Sequence, residues 1–293
     1  MSMHPRIDPF EVDPAPDANP HPPTRFKLPL GSVDTHAHVI GPDLLAQRSY
    51  TPTTQATPDA YIAMLEGTGM AHGVLIQVSV HGSDNSLMLR TLKAHPQRLR
   101  GIAVVSHEAS ERELRTLKEG GVVGLRLNAT TAGGVGLSQL DRYEAICVEL
   151  GWHLQFLVHA DMLASLAPRL ASLRVPAVLD HMGYVSSDQP AEAQTLVQMV
   201  RDGMWVKLSG AFRISREPPP YADTIPLARA LADAAPDRCV WGSDWPHVNF
   251  RGTMPNTGDL LDLLADWVPD AARRDAILST NAHRLYGFQQ QNG

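Results

Sequence analysis

Ser32-Val33-Asp34-Thr35-His36-Ala37-His38 reads as a short β-strand that ends in two histidines. In an open, doubly wound α/β sheet the first strand normally runs into a glycine-rich phosphate loop. Here that position holds His-Ala-His. Working outward, a helix is expected from about Asp59 to Gly69 and a second strand at Gly73–Ser79. That strand is nearly continuously apolar, as buried parallel strands are. The alternation then repeats. Asp84 can cap a helix running to about His95, and Leu99–Val105 is the third strand. Ser110 can cap the helix that stops at Gly120 and Gly121. Further strands are expected at Val122–Asn128, Trp152–His159, Ala177–His181, Met204–Ser209 and Cys239–Asp244. Helices are expected at Ser138–Leu150, Asp161–Leu173, Ala191–Asp202, Ala222–Ala235 and from Gly258 onward. Eight strand–helix units in order predict an α/β fold of the (β/α)8 TIM-barrel type, with an open doubly wound sheet as the alternative.

Bulk properties agree with one large domain. The chain has 293 residues, 43% hydrophobic and 19% charged, which suits a soluble globular protein with a sizeable core. A formal net charge of -6 argues against a general nucleic-acid binder but leaves room for a locally recognised anion. No apolar run is long enough to span a bilayer. Cys147 and Cys239 lack metal-type spacing and read as buried free thiols in a reducing compartment. Met1–Arg25 carries many prolines and acids and no apolar stretch, so it is not a signal peptide. The expected organisation is a Pro-rich arm over residues 1–30, disordered or draped on the surface, and a single barrel over residues 31–288.

Barrel enzymes place their chemistry at the C-terminal ends of the strands. Those ends carry His36 and His38 on strand one, Ser79 and His81 on strand two, and Arg126 and Asn128 on strand four. His159 ends strand five and His181 strand six. Ser209 and Arg213 follow strand seven, and Asp244 ends strand eight. His36 and His38 are two apart on a strand and so share a face, where two imidazoles can chelate a metal or hydrogen-bond one carbonyl oxygen. A single His-x-His is weak, and the pair gains meaning from His181 and Asp244 on other strand ends. Asp244, between Trp241 and Trp245, is expected to be partly desolvated and to act as a base with a raised pKa. Arg126 and Arg213 are suited to holding a substrate carboxylate, the alternative being an internal salt bridge with a loop acid. His153 reads as a core polar residue.

These segments resemble the amidohydrolase superfamily, through Asp34-Thr35-His36-Ala37-His38, Asp180-His181-Met182-Gly183 and Gly242-Ser243-Asp244-Trp245-Pro246-His247. The branch is the one containing 2-pyrone-4,6-dicarboxylate lactonase, with sugar lactonases and 4-sulfomuconolactone hydrolase as relatives. The resemblance runs from Gly31 to Tyr286 and includes Tyr50-Thr51-Pro52, Gln77–Asn85, Gly124-Leu125-Arg126-Leu127-Asn128, Gly151-Trp152-His153 and Asn281–Tyr286. It implies a hydrolase that opens a lactone ring with water. By resemblance Asp244 is the general base, and His36, His38 and His181 polarise the carbonyl. Arg126 and Arg213 hold the substrate's acid groups, and Tyr50, Ser79 and His81 contact the substrate. Two departures stand out. Ala132 stands where the pyrone dicarboxylate enzyme has a second arginine, and Leu157 where it has a tyrosine. A lactone with fewer or differently placed acid groups is therefore expected.

The family's binuclear members use a carboxylated lysine on strand four, where this chain has Arg126. No strictly required cofactor is expected. The alternative is a mononuclear zinc held by His36, His38 and Asp244, with His159 or His181 added. The resemblance also implies a cytoplasmic setting in the catabolism of aromatic or sugar acids. The expected partner is a small anionic lactone, with no nucleic acid and no membrane, and an oligomer is left open. Two other readings use the same rim. One is a zinc-dependent decarboxylase or amide hydrolase, and the other is a non-catalytic barrel that binds a small organic acid.

Overall fold

The computed structural model describes residues 11–131 and 133–289. Eight parallel strands follow one another in chain order around a single sheet. They are β1 (Val33–Ala37), β2 (His72–Ile76), β3 (Leu99–Ala103), β4 (Val122–Asn128), β5 (His153–Leu157), β6 (Ala177–Leu179), β7 (Trp205–Leu208) and β8 (Cys239–Trp241). The circle closes just beyond β8, where Ala37 bridges Trp245 in parallel. Two backbone bonds make this seam: His38 N–H donates to Trp245 O, and Asp244 N–H donates to His36 O, both at 2.8 Å. An added Cβ at Gly242 would meet the His36 Cβ at 2.6 Å, so the seam requires a residue without a side chain there. The open-sheet alternative is thereby excluded, and the chain is a (β/α)8 barrel.

The helices outside the barrel are α1 (Pro58–Thr68), α2 (Ser86–Ala94), α3 (Glu111–Glu119), α4 (Leu140–Leu150), α5 (Leu163–Ala171) and α6 (Pro190–Arg201). After β7 come α7 (Ala211–Ile214) and α8 (Ile225–Ala234). After β8 come α9 (Thr257–Asp262), α10 (Leu264–Trp267), α11 (Ala271–Asp275) and α12 (Asn281–Tyr286). Their starts follow local chemistry. Thr57 Oγ1 accepts from the Ala60 N–H and Ser110 Oγ from the Glu113 N–H, each at 3.2 Å. Asp84 Oδ1 accepts from the Ser86 N–H at 3.0 Å.

Two apolar layers result. The larger lies between strands and helices. The smaller fills the barrel's N-terminal end, where Val33, Val74, Ile102, Val178, Trp205 and Val240 meet Tyr286 and Phe288 from the end of the chain. The barrel is thus plugged at one end and can receive a ligand only at the other.

Several expected strands prove shorter, always at the C-terminal end. β6 stops at Leu179 and β8 at Trp241. His181, Met182 and Tyr184 then take φ of 48°, 48° and 55°, and Asp244 takes φ of 61°. Left-handed residues of this kind end pairing and turn side chains inward. The N-terminal arm is seated on the barrel over its described part. Asp13 N–H donates to Thr51 O at 2.8 Å, and Asp13 Oδ2 accepts from the Asn249 N–H at 2.7 Å. Farther along, the Thr24 and Arg25 N–H groups both donate to Asp262 Oδ1 at 2.9 Å.

Candidate functional site

The register between β1 and β2 slips between Asp34 and Ala37, pairing Asp34 with Gly73 but Ala37 with Leu75. One extra residue on β1 is a bulge, and bulges re-aim side chains at barrel rims. His36 and His38 follow it, both fully buried. Asp34 ties this turn to the β8 loop: its Oδ1 accepts from the Ser243 N–H at 2.8 Å and its Oδ2 from Ser243 Oγ at 2.7 Å. Burial pushes the Asp34 carboxyl up to about 6 against these bonds. The next residue, Asp244, is therefore placed directly against His36.

Three imidazoles converge on one atom. His36 Nε2, His38 Nε2 and His181 Nε2 lie 3.9, 4.0 and 3.8 Å from Asp244 Oδ1. These separations exceed hydrogen-bond length; an atom midway along any of them would be about 2 Å from each neighbour, a metal–ligand distance, so a water or carbonyl oxygen in hydrogen-bond reach must sit to one side of the group. Asp244 Oδ1 and His36 Nε2 are buried with no hydrogen-bond partner among the described residues. The rings are fixed from behind. His38 Nδ1 donates to Ile76 O at 2.8 Å, so in its neutral form His38 presents a bare Nε2. His181 Nδ1 bonds Ser209 Oγ at 3.0 Å. A Cβ at Gly210 would stand 3.0 Å from the His181 Cβ, so a glycine there lets β7 pass beneath that ring.

Burial keeps the histidines neutral. It pulls His38 down to about 3 and His181 to about 4, and drives His36 well below the usual imidazole range. Asp244 behaves contrary to the sequence-based expectation. Burial would raise it, but Arg213, His181 and His36 outweigh that and hold it below the usual carboxylate range. Trp245 packs against Tyr61 instead of desolvating the carboxylate unopposed. Arg213 Nε donates to Asp244 Oδ2, and its Nη2 donates to Val248 O at 3.0 Å.

Arg126 is likewise engaged internally. Its Nε and Nη2 both stand 3.2 Å from Asp180 Oδ2. The alternative of an internal ion pair thus describes both arginines at rest. Each keeps Nη1 without a hydrogen bond among the described residues.

Tyr50 and Ser79 are joined at the rim, hydroxyl to hydroxyl, at 3.1 Å. Burial pushes the Tyr50 phenol up to about 12. His81 is buried over Gly41, whose N–H donates to His81 Nε2 at 3.3 Å. Asn128 is absorbed in its own loop, its Oδ1 accepting from the Thr130 N–H at 2.9 Å. His159 lies beyond the end of β5, exposed, with its ring 6.5 Å from that of Tyr184. It is not brought to the histidine–aspartate group, because β5 ends at Leu157 and the chain turns outward. Leu157 is buried at the strand end. Ala132 lies outside the described residues.

One candidate metal group exists among the described residues. His36, His181 and Asp244 offer ligand atoms all within 4.8 Å of one another. His38 was expected in that set and His181 only as an addition; the tight triple contains His181. Zinc holds nitrogen and oxygen ligands at roughly 2.0–2.2 Å, so ligands on one tetrahedral ion stand roughly 3.4 Å apart. Separations of 3.8–3.9 Å to Asp244 Oδ1 need only a small closure, and the unpartnered His36 Nε2 and Asp244 Oδ1 suit a cation.

Sequence reading missed the layer beneath. Lys207, in the middle of β7, is fully buried, with Nζ 2.8 Å from both Thr35 O and Gln155 Oε1. Gln155 Nε2 donates in turn to Asp180 Oδ2 at 3.1 Å. A lysine inside the apolar run Trp205-Val206-Lys207-Leu208 was the available signal, since a buried charge must be paired.

The chain is similar to known proteins over most of its length. The sequence model of the family described as Amidohydrolase matches residues 33–288. A 4-sulfomuconolactone hydrolase from Hydrogenophaga intermedia is 38% identical, over 90% of this chain and 91% of the relative. A 2-pyrone-4,6-dicarboxylate hydrolase from Comamonas testosteroni is 32% identical, over 92% of this chain and 94% of its own. Among solved structures, a probable 2-pyrone-4,6-dicarboxylic acid hydrolase from Acinetobacter baumannii, with citric acid bound, superposes with a TM-score of 0.77. It is 29% identical and covers 88% of this chain and 100% of that one.

Proposed function

Since the chain belongs to the amidohydrolase family, we propose that it hydrolyses a small, carboxylated lactone. The carrying observation is the convergence of three buried imidazole nitrogens on the free oxygen of Asp244. A water or a carbonyl oxygen seated to one side of these atoms lies within hydrogen-bond reach of the group. The lactone hydrolases among the relatives supply the substrate class.

In this reading the two arginines take the substrate's acid group through their unengaged Nη1 atoms. Both are held in place by Asp180 and Asp244, and so lose little freedom on binding. The lactone carbonyl lies against His36 and His181, while His38, bare at Nε2 and so an acceptor, faces the attacking water. Water bound at Asp244 Oδ1 attacks the carbonyl carbon and gives its proton to that oxygen. The resulting oxyanion is stabilised by the preorganised polar groups of the rim, commonly the largest contribution in such reactions. The tetrahedral carbon then expels the ring oxygen, the ring C–O bond breaks, and Asp244 returns the proton to it. The product is a carboxylic acid and an alcohol or enol in one open chain. Arg213 lowers the basicity of Asp244 at rest. A substrate carboxylate that draws charge from Arg213 restores some of it, coupling binding to base strength.

A zinc ion bound by His36, His181 and Asp244 would supply Lewis-acid polarisation of the carbonyl in place of imidazole hydrogen bonds. The discriminating experiment is proton release from a panel of acidic lactones, before and after chelator treatment. Chelator-resistant turnover supports the imidazole route. Turnover lost to chelator and restored by zinc keeps the reaction and makes His36, His181 and Asp244 ligands. Silence across the panel in both arms would overturn the lactonase reading and favour the decarboxylase or amide-hydrolase alternative.

A further inference from the structure

We infer that Lys207 is a positioning residue that sets the tautomer of His36, so that His36 presents an Nε2–H donor to the reacting carbonyl. This rests on the lactonase reading for its purpose, though not for its geometry.

The Lys207 ammonium has three N–H groups and no exposure to water. Two are taken by Thr35 O and Gln155 Oε1, each at 2.8 Å. The third points at His36 Nδ1, 3.1 Å away. Asp180 Oδ1 is also close, 3.2 Å from His36 Nδ1 and 3.3 Å from Nζ, and is the competing partner of both, but of the contacts to His36 Nδ1 only that of Lys207 is aligned as a hydrogen bond. It acts as the ammonium's counter-charge, and Arg126 and Gln155 hold its other oxygen. An imidazole nitrogen that accepts a hydrogen bond carries no proton. The proton of neutral His36 therefore sits on Nε2, the atom that faces the gap beside Asp244.

The neighbouring ring is set the opposite way. His38 donates from Nδ1 to Ile76 O and shows a bare Nε2 to the same gap. One donor and one acceptor thus lie beside the same oxygen, 3.9 and 4.0 Å from Asp244 Oδ1. His36 is placed to hold the carbonyl oxygen, and His38 is placed to hold a hydrogen of the attacking water.

The test is nitrogen-15 NMR of histidine-labelled, chelator-treated full-length protein, with the His36 signals identified by their loss in His36→Gln. The expected result is a protonated Nε2 and a bare Nδ1 in the wild type. In Lys207→Met the proton should move to Nδ1, where Asp180 Oδ1 can accept it. kcat should then fall roughly ten- to hundredfold, as for other partners that orient a reacting imidazole, with KM within about threefold. A wild-type proton on Nδ1 overturns the inference, and so does a tautomer that Lys207→Met leaves unchanged. The wild-type measurement can overturn the inference even if the variant fails to fold. No substrate is present, so the result is independent of whether any lactone is turned over.

Discussion

Both ends of this barrel carry a cluster of buried histidines, yet the two clusters are built differently. At the C-terminal end, His36, His38 and His181 turn their Nε2 atoms toward one carboxylate oxygen, and each Nδ1 has a polar partner behind it. At the N-terminal end, His72 stacks on Phe288 with ring centroids 4.7 Å apart, and His153 meets Tyr286 edge-on at 5.1 Å. Neither nitrogen of His72 has a hydrogen-bond partner among the described residues, and His153 Nε2 has none. The lower histidines are used as aromatic plates that fill a plug, and the upper ones as oriented polar groups. Convergence of ring atoms with a carboxylate separates the two roles, since burial and imidazole content are alike at both ends.

The largest test of this contrast is Asp244→Asn, which removes the point of convergence. Turnover should fall by at least about 10²–10⁴-fold, the usual cost of losing a general base, and the melting temperature should fall as well, since buried Arg213 loses its ionised partner. Near-normal turnover would dismiss Asp244 from the chemistry. Next comes Arg213→Met. Without the guanidinium, burial acts on Asp244 unopposed and its carboxyl rises. KM for an acidic lactone should increase, and an acid limb absent from the wild type should enter its pH–rate profile.

In the wild type Asp244 stays ionised as pH falls from neutrality to about 5, and His38 and His181 stay neutral because they are held at about 3 and about 4. Asp34, which ties the β8 loop to β1 and is held at about 6, takes up a proton in that window. The reacting groups therefore give the turnover number no acid limb over that range, and a limb near pH 6 would mark Asp34. Stability should not stay flat. Buried His38, His181 and His153 take up protons far less readily than the same residues in the unfolded chain, with an ordinary imidazole value near 6.5. Between that value and about 4 the unfolded state binds more protons, so stability falls as the pH falls. Thermal melts across this window should show the decline, and a flat melting profile would contradict the burial argument. His153→Phe should weaken the decline without touching turnover.

The smallest effect is expected of His72→Leu at the plugged end. Replacing two unpartnered ring nitrogens by an apolar side chain should shift stability by no more than about 1 kcal/mol and leave turnover within about twofold. A large loss of activity there would erase the difference between the two ends.

Most of the architecture was legible because it rests on local pattern. Apolar strands and helices alternate in order around the barrel, and Thr57, Asp84 and Ser110 bond backbone N–H groups two or three residues on at three helix starts. The residue types on the rim were legible too, since strand ends can be read in order. Three things were not. The strands' last residues bend away, so His159 points outward while His181 and Asp244 turn in through left-handed backbone. The direction of the Asp244 shift was misjudged, because its flanking tryptophans are visible in the sequence and its pairing with Arg213, 31 residues away, is not. The layer of Lys207, Gln155 and Asp180 passed unnoticed: the apolar run around Lys207 marks a buried charge, but its partners Thr35, Gln155 and Asp180 lie on other strands or strand ends.

By itself the sequence determined a (β/α)8 barrel with histidines and an aspartate at one rim, because strand and helix periodicity act over a few residues. Only the tertiary structure decided which of those groups meet, which proton each carries and which carboxylate stays ionised. Those properties depend on partners such as Lys207 and His36, which lie 171 residues apart and come together only when the barrel closes. Electrostatic and hydrogen-bond energies fall off over a few ångströms, and no pattern along the chain encodes distances of that kind.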